Sequence, residues 1–299
     1  MGLRRPISKL KSKVTAHLRE RKLAVLRDIA YGTGGGRPLL LDLLAPAVAK
    51  AERAPAVVWI HGGGWEHGGK NGSPAAAMLA KAGFVTASIS YRLSGEAPFP
   101  AQIEDCKCAV RFLRANAARF GIDPARIAVA GSSAGGHLAE LVATAGPDAG
   151  LEGDGGWQGV SSRVRAAAAW FGVSDFTDGA LEFHPRLGRV VVKLFGGPEK
   201  DKPELYRLAS PVCHVAQGAA PMLLAHGEED GLVPFDQSAR MAAAYRQAGL
   251  EMEFIPVRHA GHDFKRVGEA AISPAVGEIH ARTIDFLRRR LGVEAAGEP

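Results

Sequence analysis

Cysteine is scarce in this sequence, limited to Cys106, Cys108 and Cys213. Three thiols cannot build a disulfide framework, and no CxxC pair with a matching histidine pair offers a zinc site. They read as small buried hydrophobes in a reducing compartment, so a cytoplasmic location is expected and no metal. Long apolar runs are missing as well. No stretch approaches the ~18 residues of a membrane span, and the opening MGLRRPISKLKSKVTAHLRERKLAVL has no continuous apolar core of the secretory kind. Neither G-x-x-x-x-G-K-[ST] nor G-x-G-x-x-G occurs, which removes the common phosphate cradles. Acidic residues are thin only at the start. Residues 1–27 hold nine Lys or Arg against one acid, Glu20, an excess that alone exceeds the +6 net charge of the whole chain, whose pI is near 9.3. No basic stripe interleaved with aromatics follows, so no nucleic-acid partner is expected.

What is present is enough apolar residue, 46% of 299, for one large core or two small ones. Residues 1–27 form a basic arm in which Ile7, Leu10, Val14 and Leu18 recur at helical spacing. That pattern predicts an amphipathic helix docked on the body, ahead of a membrane-surface anchor or a lid. From Asp28 to about residue 292 the chain reads as one domain. A hairpin opens it, DIAYG then PLLLDLLAP. Short buried runs (AVVWI, FVTASISYR, RIAVAG, VRAAAAWFG, APMLLAHG, EMEFIPV) then alternate with helical stretches. Ser73 and Pro74 mark one helix start, Gly121 closes another helix begun near Ala101, and AVGEIHARTIDFLRRR is the last. Residues 174–210 break the rhythm and predict a small insertion of short helices and loops. Residues 293–299 are a tail. This alternation predicts an α/β fold: a mostly parallel central sheet, helices on both faces, chemistry at the carboxyl ends of the strands.

The strand RIAVA runs into Gly131-Ser132-Ser133-Ala134-Gly135 and then a helix. Only Ser133 is centred in G-x-S-x-G. A nucleophile on a tight strand-to-helix turn needs small residues two positions to either side, and Gly131 and Gly135 supply them. For Ser132 the flanks would be Ala130 and Ala134, a poorer fit. A serine hydroxyl also needs a base and a group to orient that base. After APMLLAHG come Glu228, Glu229 and Asp230; after EMEFIPV come His259 and His262. The order Ser, acid, His suits this fold. After AVVWI, the run His61-Gly62-Gly63-Gly64-Trp65 can turn backbone N–H groups toward one point, as a developing oxyanion requires.

With HGGGW, SYRLSGEAPFPAQIEDCKCAVRFLRANAARFGIDPARIAVAGSSAGGHLA, HGEEDGLVP and HAGHDF together, the chain resembles the α/β-hydrolases with HGGG-type oxyanion loops, the hormone-sensitive-lipase-like and BD-FAE-like esterases. The resemblance runs from LLLDLLAP to the final helix. It implies Ser133 as nucleophile, His262 as base and Asp230 as the orienting acid, with His259 and Glu229 as rivals. It implies an oxyanion hole from Gly63, Gly64 and Ala134, with His61 bracing the loop and His137 packing one turn beyond the serine. Trp65, Phe99 and Trp170, with Phe171, are expected to line an apolar substrate pocket. The arm is short beside the large caps of lipase-like members, which argues against a lid for long acyl chains.

The leading reading is a serine carboxylesterase for short-chain or aromatic-acid esters, working through an acyl-enzyme with no cofactor. An arylformamidase, amidase or small peptidase would share the triad. A non-catalytic ligand receptor of the same fold is a third reading, disfavoured because serine, acid and histidine are all in place. The expected partner is a small-molecule ester, with no membrane, and the oligomeric state stays open, a homodimer included.

Overall fold

The computed structural model describes residues 22–47, 53–182 and 184–293. The helix expected through Leu18 and the tail beyond residue 293 lie outside them. Chain order is β1 (Leu23–Gly34), β2 (Arg37–Pro46), β3 (Ala54–Ile60), α1 (Pro74–Lys81), β4 (Val85–Ile89), α2 (Ala101–Ala115), β5 (Ile122–Ser132) and α3 (Ala134–Thr144). Then come β6 (Ala167–Trp170), α4 (Gly188–Phe195), α5 (Pro203–Ala209), β7 (Met222–Gly227), α6 (Asp236–Gln247), β8 (Met252–Val257) and α7 (Val276–Arg290). One eight-stranded sheet runs β1-β2-β4-β3-β5-β6-β7-β8. The β1-β2 and β2-β4 pairs are antiparallel and the others parallel. This is the α/β-hydrolase architecture, with α4 and α5 forming the small insertion.

The parallel strands are apolar on both sides because both sides are covered. In β5, Ile127 and Val129 face one core while Ala128 and Ala130 face the other. The first core packs against α2 and α3, through residues such as Val110 and Leu138, and also takes Met241 and Tyr245 of α6. The second packs against α1 and α7, through Leu79 and Ile284. Ser73 caps α1, its Oγ accepting from Ala76 N–H at 3.2 Å, with Pro74 at the first helical position.

Two boundaries differ from expectation. β1 starts at Leu23, so the last residues assigned to the basic arm are strand. A bulge at Asp28 (φ 55) breaks its alternation, and Asp42 Oδ1 accepts from the Asp28 N–H at 3.0 Å. α2 stops at Ala115 because the Asn116 side chain donates back to Phe112 O at 2.9 Å. A 3-10 turn over Ala118–Phe120 follows, and Gly121 (φ 63) ends it.

Candidate active site

The serine turn is built by contact between main chains. A Cβ on Gly131 would lie 2.2 Å from Gly135 O, and one on Gly135 would lie 2.2 Å from Ile60 O. Nothing larger than hydrogen fits where β3, β5 and α3 cross. Ser133 sits between those glycines at φ 54, ψ −122. Its N–H donates to Trp170 O at 2.9 Å, so the turn is also stitched to β6. Ser132 is the last residue of β5, and its Oγ lies toward Gly62.

His262 follows β8. Its Nδ1–H donates to Asp230 Oδ2 at 2.7 Å, and its Nε2 is 3.1 Å from Ser133 Oγ, placed to accept the hydroxyl proton. The rivals are elsewhere. His259 Nδ1 is 3.5 Å from Glu229 Oε1, both half exposed, and Glu228 is exposed. Phe171 packs edge-on against the His262 ring at 4.8 Å, backed by Phe264 at 4.9 Å.

The Asp230 carboxylate is fully buried, which pushes its pKa up. Hydrogen bonds from His226 and His262, the charge of His262 and the Leu232 N–H outweigh that and hold it well below the usual carboxylate range. Oδ1 accepts from Leu232 and Val233 N–H at 2.8 and 3.0 Å. His226, expected from the sequence to be structural or exposed, is fully buried and also holds this carboxylate. Its Nε2–H reaches Val233 O at 3.0 Å and Asp230 Oδ2 at 3.3 Å, while its Nδ1 accepts from Ser238 Oγ at 2.7 Å. Its spacing, four residues before Asp230 at the end of a buried strand, was the available clue.

Gly63 (φ 112), Gly64 (φ 59) and Trp65 (φ 57) are three successive left-handed residues. A Cβ on Gly62 would lie 3.3 Å from Ser133 Cβ, so this loop runs directly against the serine. Among the described residues the N–H groups of Gly63, Gly64 and Ala134 donate to no other group. Behind the loop, His61 Nδ1–H donates to Gly62 O at 2.7 Å and its ring stacks on Tyr91 at 4.3 Å. Burial lowers its pKa.

Of the four aromatics expected to line a pocket, three face the core instead. Trp65, Phe99 and Trp170 are 1%, 3% and 6% exposed. The left-handed turn at Trp65 directs its ring inward, onto Phe176 and His137. Phe99 packs on Phe195 at 5.7 Å, beneath the insertion. Trp170 points to the opposite face of the sheet, where its N–H donates to Thr283 Oγ1 at 3.2 Å and its ring stacks on His280. Among the described residues no cluster of three or more His, Cys, Asp or Glu is placed to hold a metal ion.

The arrangement is that of a serine hydrolase, and known proteins agree. The BD-FAE family model matches residues 41–245. The chain belongs to the BD-FAE family. Esterase LipQ of Mycobacterium tuberculosis is 34% identical over 92% of this BD-FAE chain and 67% of its own length. LipM of the same organism, named a probable carboxylic ester hydrolase, is 32% identical over 85% of this chain, which spans 61% of it. Among solved structures, a truncated carbohydrate esterase from gut microbiota has a TM-score of 0.77 at 26% identity, covering 90% of this chain and 96% of its own. Esterase 2 of Thermogutta terrifontis has 0.71 at 27%, covering 94% and 96%. This BD-FAE member is a carboxylic ester hydrolase. None of its described helices is long and apolar enough to cross a membrane.

Proposed function

We propose that the protein cleaves short-chain or aromatic-acid esters through an acyl-enzyme on Ser133. One observation carries this reading: the Ser133–His262–Asp230 chain, at 3.1 and 2.7 Å. Ser133 Oγ attacks the ester carbonyl as His262 Nε2 takes its proton. Asp230, kept ionised, stabilises the imidazolium without accepting that proton. The N–H groups of Gly63, Gly64 and Ala134 receive the oxyanion, and the α3 N-terminus favours the same charge. His262 returns the proton to the departing alkoxide. Water, activated by His262, then attacks the acyl carbonyl and releases the acid and Ser133.

A short acyl group is supported by the insertion, which crowds the oxyanion loop: a Cβ on Gly64 would lie 3.3 Å from Val190 Cγ1 of α4. The Thermogutta esterase has been solved with propionate bound and with butyrate bound. The partner in this reading is a small-molecule ester. A cytoplasmic setting is part of it, supported by three free thiols.

A fluorophosphonate probe tests the nucleophile. It is expected to label the native protein and Ser132→Ala but not Ser133→Ala; equal labelling of both variants sinks the assignment. Turnover of p-nitrophenyl acetate, p-nitrophenyl octanoate, methyl ferulate and N-formylkynurenine then sorts the substrate, with acetate expected to lead octanoate.

A further inference from the structure

Trp65 and His137 take no part in the chemistry above, yet they join its two halves. Trp65 directly follows Gly64 in the oxyanion loop. Its indole N–H donates to His137 Nδ1 at 3.1 Å. His137 lies one turn into α3, the helix whose first residue is Ala134. On its other side His137 Nε2–H donates to Ala209 O, the last residue of α5, at 2.8 Å. Both contacts are satisfied by one tautomer only, with the proton on Nε2 and the lone pair on Nδ1. The imidazole is wholly buried, and burial brings its pKa down to about 4, so it stays neutral through the working range. Phe176 packs on both rings, at 5.9 and 5.1 Å. The Trp65 carbonyl is pinned as well, accepting from Ser94 N–H at 2.8 Å.

We infer that the Trp65–His137 pair is a positioning device that locks the glycine-loop donors and the Ala134 donor into one rigid oxyanion hole, with the insertion fastened to the same bracket. This rests on the active-site reading above. The physical need is specific. Three successive left-handed residues, one of them a tryptophan, form a loop that relaxes by turning its N–H groups away. Anchoring the side chain of the third residue to the helix that supplies the remaining donor prevents that rotation. A shift of a fraction of an ångström matters far more to a full oxyanion than to a ground-state carbonyl, so the pair acts on kcat and leaves KM alone.

The test uses the full chain and the variants Trp65→Phe, His137→Leu, His137→Gln and Ser133→Ala. It measures kcat and KM on p-nitrophenyl acetate, affinity for a trifluoromethyl ketone that forms a tetrahedral adduct, and the melting temperature. Trp65→Phe and His137→Leu are expected to lose about tenfold to a hundredfold in kcat, with KM within about twofold of native. Affinity for the ketone is expected to fall in parallel, and the double variant to be no worse than the worse single. Gln keeps one acceptor and one donor, so His137→Gln is expected to recover most of the loss. Native kcat and ketone affinity in folded Trp65→Phe overturn the inference, whatever the melting temperature; so does a His137→Gln loss equal to that of His137→Leu. Should His137→Leu not fold, Trp65→Phe decides alone, since it keeps an aromatic ring in place while removing the donor. Activity retained by Ser133→Ala overturns the site itself, and this inference with it. An inert Ser133→Ala beside a fully active Trp65→Phe overturns only the bracket.

Discussion

Ser133 holds a backbone conformation that costs a non-glycine residue about 1–3 kcal/mol, and it persists because its surroundings leave no other. Gly135→Ala is therefore expected to be severe: the new methyl would meet Ile60 O, a backbone atom that cannot swing aside. The loss should reach at least ~2 kcal/mol in a urea titration, at the upper part of what overpacking costs. Asp230→Asn is expected to leave the fold intact and lower kcat about 10⁴-fold, because the amide no longer dictates the His262 tautomer. Steady-state kinetics beside a melting curve checks both halves. These residues were legible in the sequence because their chemistry demands a pattern: glycines around the serine, and an acid and a histidine after later strands. Trp65, Phe99 and Trp170 were misjudged because adjacency to a loop says nothing about which way a ring faces. At Trp65 the backbone φ decides that, and at Trp170 the strand register does.

At the scale of an element, α3 carries a second buried polar group, Glu140. Its Oε2 accepts from Ser174 Oγ at 2.6 Å, while its Oε1 is buried without a partner. Burial pushes its pKa from 4.5 up to about 8, against the smaller lowering effect of Ser174. The folded protein thus keeps a proton that the unfolded chain releases near pH 4.5. Between those values the unfolded state binds fewer protons at this group, so its contribution to stability falls as pH rises from 4.5 to about 8 and levels off above. His137, brought down from 6.5 to about 4, acts with the opposite sign below 6.5. Urea midpoints are therefore expected to slope downward for the native chain between pH 6.5 and about 8, and the slope is expected to flatten in Glu140→Gln. Most elements were legible because apolar runs bounded by glycine or proline read cleanly in a parallel sheet. The start of β1 was not, since Arg27 and the bulge at Asp28 interrupt the alternation that identifies a strand. The end of α2 was hidden by a local side-chain bond at Asn116.

Across the whole molecule, the strand order sets the ends of β3, β5, β7 and β8 along one rim, and the insertion lies over it. Charge ties it down. Glu66, just after the oxyanion loop, pairs with Lys193 of α4 at 2.7 Å and with Arg189 at 3.3 Å. Arg186 donates to Gly231 O, beside Asp230. Ion pairs that reach the surface are worth at most ~1 kcal/mol, so Glu66→Gln is expected to raise KM by no more than about fivefold with kcat preserved. Added salt should mimic it in the native chain and not in the variant, read from KM across ionic strength.

The crossing of β3, β5 and α3, where backbone touches backbone with no room between, has a consequence for how such a protein can change over time. The Ser133 hydroxyl is held by atoms common to every amino acid. Mutation among the outer side chains has nothing there to erode. A library randomised over the exposed side chains of the insertion, with Ser174 and Phe176 left in place, can thus alter which molecules gain entry while the crossing beneath stays as it is.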